Sequence, residues 1–404
     1  MCNVFIFTLK MKSHNRNPDD GGEIALLRLI RAIYGSRDTF PQSKGYYRSI
    51  LQDKHTDLVA PQLYFLLTSR EKETQVPAFF LHALRQQALR QVMRSGLIKQ
   101  ELGRLLQRCE QTGIDVIPLK GPLFAEKYFG SLLARGTSDI DILVRPAQLE
   151  QAMTVARGLG FNKIVRYEPE HFHRVLQKER PHDHFPLNIE IHWHFLRKNT
   201  SNLDMRFIWR DSIRCGNYRH IRELSDFHTF YLTVLHGWNH ELLSWKYFID
   251  IMQLIDVLKD RLDYEKLLRF ARQTATYRRV ARTLSIVYYE FPELNRVCLL
   301  PWVAQTTYWW READLADDHR LKATLRVLLK RIGQVGDYDT PRQRGVFLRR
   351  NLLPDPAIMA RIIGPDKLNW PRALQYVLFL GKCSEEIMRS VPGFLKMRVR
   401  RKAK

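Results

Sequence analysis

An α+β fold is what this sequence predicts: a compact strand-and-helix unit set between an N-terminal and a C-terminal helical region. Apolar residues recur at intervals of three and four over long stretches on both sides of the middle of the chain. Between about Gly113 and His194 that texture gives way to short apolar runs separated by turn residues. With 45% hydrophobic and 11% aromatic residues among 404, the chain can bury large cores and should divide into two or three units.

In chain order, residues 1–22 read as a disordered lead, polar from Lys10 to Gly22, with Met11 an alternative start. Residues 23–112 read as helical: Leu26, Leu27, Leu29, Ile30 and Ile33 repeat at three and four, as do Leu58, Leu63, Leu66 and Leu67. A long helix is expected from Phe79 to about Thr112, with Leu84, Leu89, Val92, Leu97, Leu102 and Leu106 inward and Arg85, Arg90, Arg94 and Arg104 on a solvated face. Residues 113–200 form the α/β unit. GIDVIPLKG is a strand running into a glycine loop, FAEKYFGSLL a short helix and SDIDILV a strand. A helix follows behind Pro146, then the strands GFNKIVRY and LNIEIHWHF. Residues 201–332 return to helical periodicity and are expected to close the cleft of that unit. Residues 333–404 read as a loop-rich segment to about Pro365, one further helix near Trp370 to Arg389, and a basic tail.

A formal net charge of +23 points to an anionic partner, whether nucleotide, nucleic acid or membrane surface. The five cysteines, Cys2, Cys109, Cys215, Cys298 and Cys383, show no short paired spacing, which argues against a disulfide framework. The opening apolar run is followed at once by Lys10 and Lys12 and fails as a signal peptide. No apolar run approaches the ~18 residues of a membrane helix. A cytoplasmic location is the expectation.

The chemistry concentrates in the α/β unit. Asp139 and Asp141 are two apart between apolar residues, so on a strand both face one way while Ile140, Ile142 and Val144 enter the core. Two close carboxylates repel unless a cation lies between them, and a hard divalent ion with oxygen ligands suits them. In LNIEIHW the same alternation puts Glu190 on one face with His192 and His194, between core positions Ile189, Ile191 and Trp193. If the two strands are neighbours, Glu190 completes a three-carboxylate site and can take a proton from an attacking hydroxyl. Lys120 and Gly121 stand where a strand ends and a helix begins, a geometry that binds phosphate. Arg135 and Ser138, just ahead of Asp139, are candidates for the same phosphates.

The run LKGPLFAEKYFG, then RGTSDIDILV, then a helix and IEIHW, resembles the uncharacterised bacterial nucleotidyltransferase family of the DNA polymerase β-like superfamily. The resemblance extends less sharply from about Glu23 to Glu290. It implies a minimal nucleotidyltransferase fold, a mixed sheet backed by helices, with a helical region closing over the nucleotide. By position, Asp139 and Asp141 match the metal-binding pair and Glu190 the third acidic residue, with Mg2+ or Mn2+ as cofactor and a nucleoside triphosphate such as ATP as substrate. One departure stands out: the superfamily usually has a Gly-Ser pair in the phosphate loop, and this chain has Lys120-Gly121-Pro122. The acceptor is left open as a small molecule, sugar, peptide or protein. The competing reading is a nucleotide- or anion-binding scaffold with little catalytic activity, favoured by the missing serine.

Other residues admit plainer roles. His171, His173, His182, His184, His192 and His194 crowd one stretch without a zinc spacing and read as structural or supporting, His192 excepted. His236, His240, Trp245 and Asp250 lie close together in the helical region. Asp250, within an apolar stripe, is either one half of a buried pair or, with His192 and His236, part of an acceptor pocket. Lys396, Arg398, Arg400, Arg401, Lys402 and Lys404 are a solvated tail or a contact for RNA or an anionic bilayer.

Overall fold

The computed structural model describes residues 25–35, 39–166, 172–180, 186–307, 309–310, 330–352, 356–382 and 384–385. The lead, the basic tail, His171, His182 and His184 lie outside them.

Four helices come first: α1 (Ala25–Tyr34), α2 (Lys44–Gln52), α3 (Lys54–Ser69) and α4 (Ala78–Thr112). The buried stripe of α4 runs through Phe80, Leu84, Ala88, Ile98, Leu102, Leu105 and Cys109. Leu89, expected inward, is 43% exposed; five residues past Leu84, it sits roughly 140° round the helix from that stripe.

The α/β unit follows, with β1 (Val116–Pro118), α5 (Pro122–Phe129), β2 (Ile140–Val144), α6 (Leu149–Gly158), β3 (Lys163–Arg166), β4 (His173–Lys178) and β5 (Leu187–His192). The five strands form one mixed sheet in the order β1-β2-β5-β4-β3. Only β2 and β5 run parallel; the other neighbours are antiparallel. Strand β4 is an addition to the sequence expectation. Its HRVLQK pattern buries the adjacent pair Val175 and Leu176 and so lacks the alternation that marks a half-buried strand.

The two faces of the sheet have different fates. Ile140, Ile142, Val144, Leu176, Ile189 and Ile191 pack with the C-terminal half of α4 and with α6 in one core. The opposite face carries Asp141, Leu143, Glu190 and His192, and Leu143 joins a second, larger core. That core runs from α1–α3 into α7 (Met205–Arg210), α8 (Asp226–Asn239), α9 (Trp245–Leu258), α10 (Tyr264–Gln273) and α11 (Tyr277–Glu290). The two helical stretches of the sequence therefore share one interior. A short ribbon of β6 (Ile213–Arg214) and β7 (Arg222–Glu223) lies between α7 and α8.

Two helices occupy the segment expected to be loop-rich: α12 (Pro341–Leu352) and α13 (Pro356–Ile363). Each opens on proline, which at a first helical position lacks only an N–H that would have no partner there and is pre-set in φ. Residues 372–382 are also helical. Among the described residues no helix is long and apolar enough to cross a membrane.

Candidate active site

Register builds the site. Asp141 pairs with Glu190 across β2 and β5, and Glu190 pairs with Val175 on β4. One step along, Leu143 pairs with His192 and His192 with His173. Cross-strand partners share a face, and neighbouring strands lie about 4.8 Å apart. Asp141, Glu190, His192 and His173 therefore form one polar patch on the face turned away from α6. The His192 Nε2 lies 3.0 Å from Asp141 Oδ1 and 3.4 Å from Glu190 Oε2. The His173 Nε2 is 3.9 Å from Glu190 Oε2. The other nitrogen of His192, Nδ1, is buried without a hydrogen-bond partner among the described residues.

Asp139 stands one residue ahead of β2, on a loop gripped from several sides. Arg94 donates to the Ser138 carbonyl at 3.1 Å and Lys246 to the Gly136 carbonyl at 3.1 Å, while the Ser138 hydroxyl bonds Asp139 Oδ1 at 3.0 Å. Burial, then the charge of Asp141, pushes the Asp139 carboxyl above its ordinary value, against the pull of Lys246. Burial would raise Asp141 as well, but the hydrogen bond from His192 and the charges of His192 and Lys120 override it and hold it at about 2. For His192 burial acts downward, and its bonds to Asp141 and Glu190 win, raising it. Two carboxylates thus share a site with their affinities for protons driven apart.

Lys120 and Gly121 join β1 to α5. The Leu119 amide donates to the Asp141 carbonyl at 3.0 Å, which fixes the loop beside β2. Gly121 has φ +77° and ψ −140°, a region that residues with a Cβ avoid. A Cβ there would also meet Thr137 Cγ2 at 3.3 Å. Lys120 is half-buried, and that burial lowers its ammonium pKa, while Asp141, the largest opposing influence, raises it. The helix pair α8–α9 supplies the facing side. The His236 and His240 rings are 4.3 Å apart, and His240 stacks on Tyr247 at 5.2 Å. Burial and the charge of Lys120 lower both histidines; Glu190 and Asp141 act in the other direction on His240. Burial, followed by the charge of Arg135, brings Lys246 down to about 8, against Asp250 and Asp139.

Residues 50–289, more than half of the chain, match the family of uncharacterised nucleotidyltransferases. The chain belongs to that family. No curated protein and no solved structure matches it. The matched span reaches from α2 to the end of α11 and holds every residue of the constellation described above.

Within this member of the family, the fold brings most of the expected site residues together: Asp139, Asp141, Glu190, Lys120, Gly121, Ser138, His192 and His236. Arg135 and Asp250 are drawn elsewhere. The Arg135 guanidinium donates through Nε to Asp250 Oδ1 and through NH2 to Oδ2, both at 2.8 Å, and Gln62 donates to the same Oδ1 at 3.0 Å. Both members of the pair are buried. Arg135 was expected at the phosphates, and Asp250 either in a buried pair or at the acceptor; here the two residues satisfy each other. His194 also departs, because β5 ends at His192. Its Nδ1 accepts from the Leu196 amide at 3.0 Å and its Nε2 donates to the Leu203 carbonyl at 3.1 Å, while Trp193 is half-buried against Arg174 rather than in the core. Two further residues beside this cluster were not singled out from sequence. Lys246 sits in the motif LSWKYFIDIMQL, where a lone lysine at a helix start carries no signal. His173 was counted among the crowded histidines, and only the pairing of β4 with β5 sets it beside His192.

Proposed function

We propose that this cleft transfers a nucleoside monophosphate from a nucleoside triphosphate to a hydroxyl or amine of an acceptor, with release of pyrophosphate. The single observation behind this reading is the register that sets Asp141 opposite Glu190, with Asp139 just ahead on the loop that leads into β2, in a chain of a nucleotidyltransferase family. The carboxylates suit a hard divalent ion, Mg2+ or Mn2+: Asp139 is raised by burial and by Asp141, a repulsion that a cation relieves. Asp139, Asp141 and Glu190 would hold it. When bound, such an ion supplies neutralisation of the charge on the reacting phosphate.

The remaining work falls to side chains of this chain. Lys120 and Lys246 flank the carboxylates and offer cationic contacts to the leaving phosphates. The Gly121 loop at the start of α5 offers backbone N–H groups. The Thr137 hydroxyl, buried and without a hydrogen-bond partner among the described residues, stands beside Gly121 and supplies the hydroxyl that Pro122 cannot. Glu190 takes the acceptor proton as the new oxygen–phosphorus or nitrogen–phosphorus bond forms. The bond from the α-phosphorus to the β-phosphate oxygen then breaks, and its electron pair leaves with pyrophosphate. His236, His240 and Tyr247 line the side from which an acceptor approaches; its class is a small molecule, sugar, peptide or protein.

Replacing both aspartates, Asp139→Asn with Asp141→Asn, should abolish magnesium-dependent triphosphate binding and leave the fold intact. Calorimetric titration of magnesium and ATP into both proteins, beside circular dichroism, measures this. Equal affinity in the two proteins overturns the reading.

A further inference from the structure

Beside the aspartates, the polar patch of the sheet contains two imidazoles that oxygen-only chemistry does not use. His173, Glu190 and His192 each offer one ligand atom, and these atoms lie within 4.8 Å of one another. Of two of the separations, 3.4 Å from His192 Nε2 to Glu190 Oε2 meets the spacing that a tetrahedral ion demands, and 3.9 Å from His173 Nε2 to the same oxygen exceeds it. With metal–ligand bonds of about 2.05 Å, ligand atoms around such an ion stand roughly 3.4 Å apart. His173, the first residue of β4, with its side chain 12% exposed, is the member that would have to turn toward the other two on binding an ion.

The backbone makes this convergence a standing feature. His173 and His192 are direct cross-strand partners, and Glu190 lies two residues before His192 on the same face, so the three side chains project from neighbouring positions of a rigid sheet. His192 is 8% exposed. One of its nitrogens is shared between two carboxylates and the other finds no hydrogen-bond partner among the described residues, so hydrogen bonding there does not exhaust the ring.

We infer that His173, Glu190 and His192 form a nitrogen-bearing cation position, next to the aspartate pair, that takes a borderline divalent ion such as zinc or cobalt in preference to magnesium. Imidazole favours such ions, whereas magnesium favours oxygen ligands and keeps its water. Glu190, two residues from one histidine and opposite Asp141 in the register, then belongs to both positions. This deepens the proposed transfer reaction and rests on it for the role of the ion, though not for its binding.

Cobalt is the probe, because its visible absorption reports the number and type of ligands. Titration of Co2+ into the full chain without nucleotide should give one equivalent bound at least 100-fold more tightly than Mg2+, with the intense bands of a low-coordinate site. His173→Ala and His192→Gln should each weaken that binding at least 10-fold and remove the bands. Asp139→Asn should leave them in place while impairing magnesium-dependent binding of ATP. Should the two histidine variants, shown folded by circular dichroism, bind Co2+ with wild-type affinity and spectrum, the inference is overturned. Loss of ATP binding on its own terms, with the cobalt spectrum intact, would count against the transfer reaction and not against this site.

Discussion

At the scale of single residues, the site is governed by which charges are allowed to persist. Asp141 keeps its charge because His192 bonds it, and Asp139 is made reluctant by burial and by Asp141. Lys246 is the cation facing Asp139, and burial brings it down to about 8. The ordinary lysine value is 10.5, so in the folded protein the ammonium is held at a cost below pH 8, and that cost is regained as the pH rises from about 8 toward 10.5. Binding runs the other way: phosphates gain from the charge and lose it as Lys246 deprotonates. Triphosphate affinity should therefore fall as the pH is raised through about 8, and Lys246→Gln should show weaker binding with a flatter profile. Calorimetry from pH 6.5 to 9.5 on both proteins checks this, and a wild-type profile that stays level across pH 8 would remove Lys246 from the phosphate site.

At the scale of elements, the loop between α5 and β2 is held by side chains from two helices, one of them braced by a third. Asp250 on α9, itself bonded by Gln62 of α3, meets Arg135, Arg94 on α4 reaches the Ser138 carbonyl, and Lys246 at the start of α9 reaches the Gly136 carbonyl. The Arg135–Asp250 pair is the anchor, bidentate and nearly free of water. Removing one partner leaves a buried charge with nothing to neutralise it, a loss of roughly 3–5 kcal/mol. Asp250→Ala should accordingly lower the thermal unfolding midpoint by many degrees. If Asp250 instead served the acceptor directly, the midpoint would hardly move and transfer alone would fall. Thermal melting beside turnover of the folded fraction distinguishes the two outcomes.

At the scale of the whole molecule, the sheet is not self-sufficient. One face is closed by α4 and α6, and the other contributes Leu143, with Ile117 from β1, to the core shared by α1–α3 and α8–α11. Cut from those helices, residues 113–200 would expose apolar surface on both faces and lose the long α4 backing. That fragment should be insoluble or lack a cooperative transition, whereas residues 25–352 should melt in a cooperative manner. Circular dichroism melting of the two pieces measures it, and an independently folded 113–200 fragment would show the helices to be accessory.

What the sequence determined alone rests on local periodicity. The alternation in SDIDILV and LNIEIHW assigns Asp141, Glu190 and His192 to one face and the isoleucines to the other, and the sheet keeps that division. The three-and-four repeats mark the helices on both sides, and the stretch from Lys120 to Asp141 is legible as glycine loop, short helix and strand. The tertiary structure decided what spacing does not encode. Which strands become neighbours sets Asp141 opposite Glu190 and His173 opposite His192, and β4, with its irregular pattern, had to be present for the second of these. The partner of Asp250 lies 115 residues away, and Lys246 reaches the Gly136 carbonyl, on the loop that carries Asp139, only because α9 packs against that loop. Side-chain alternation is a property of the backbone over a few residues, and so it survives in the sequence. Register, pairing and the meeting of distant charges are settled by how whole elements bury their apolar faces together, and no short stretch of chain carries that information.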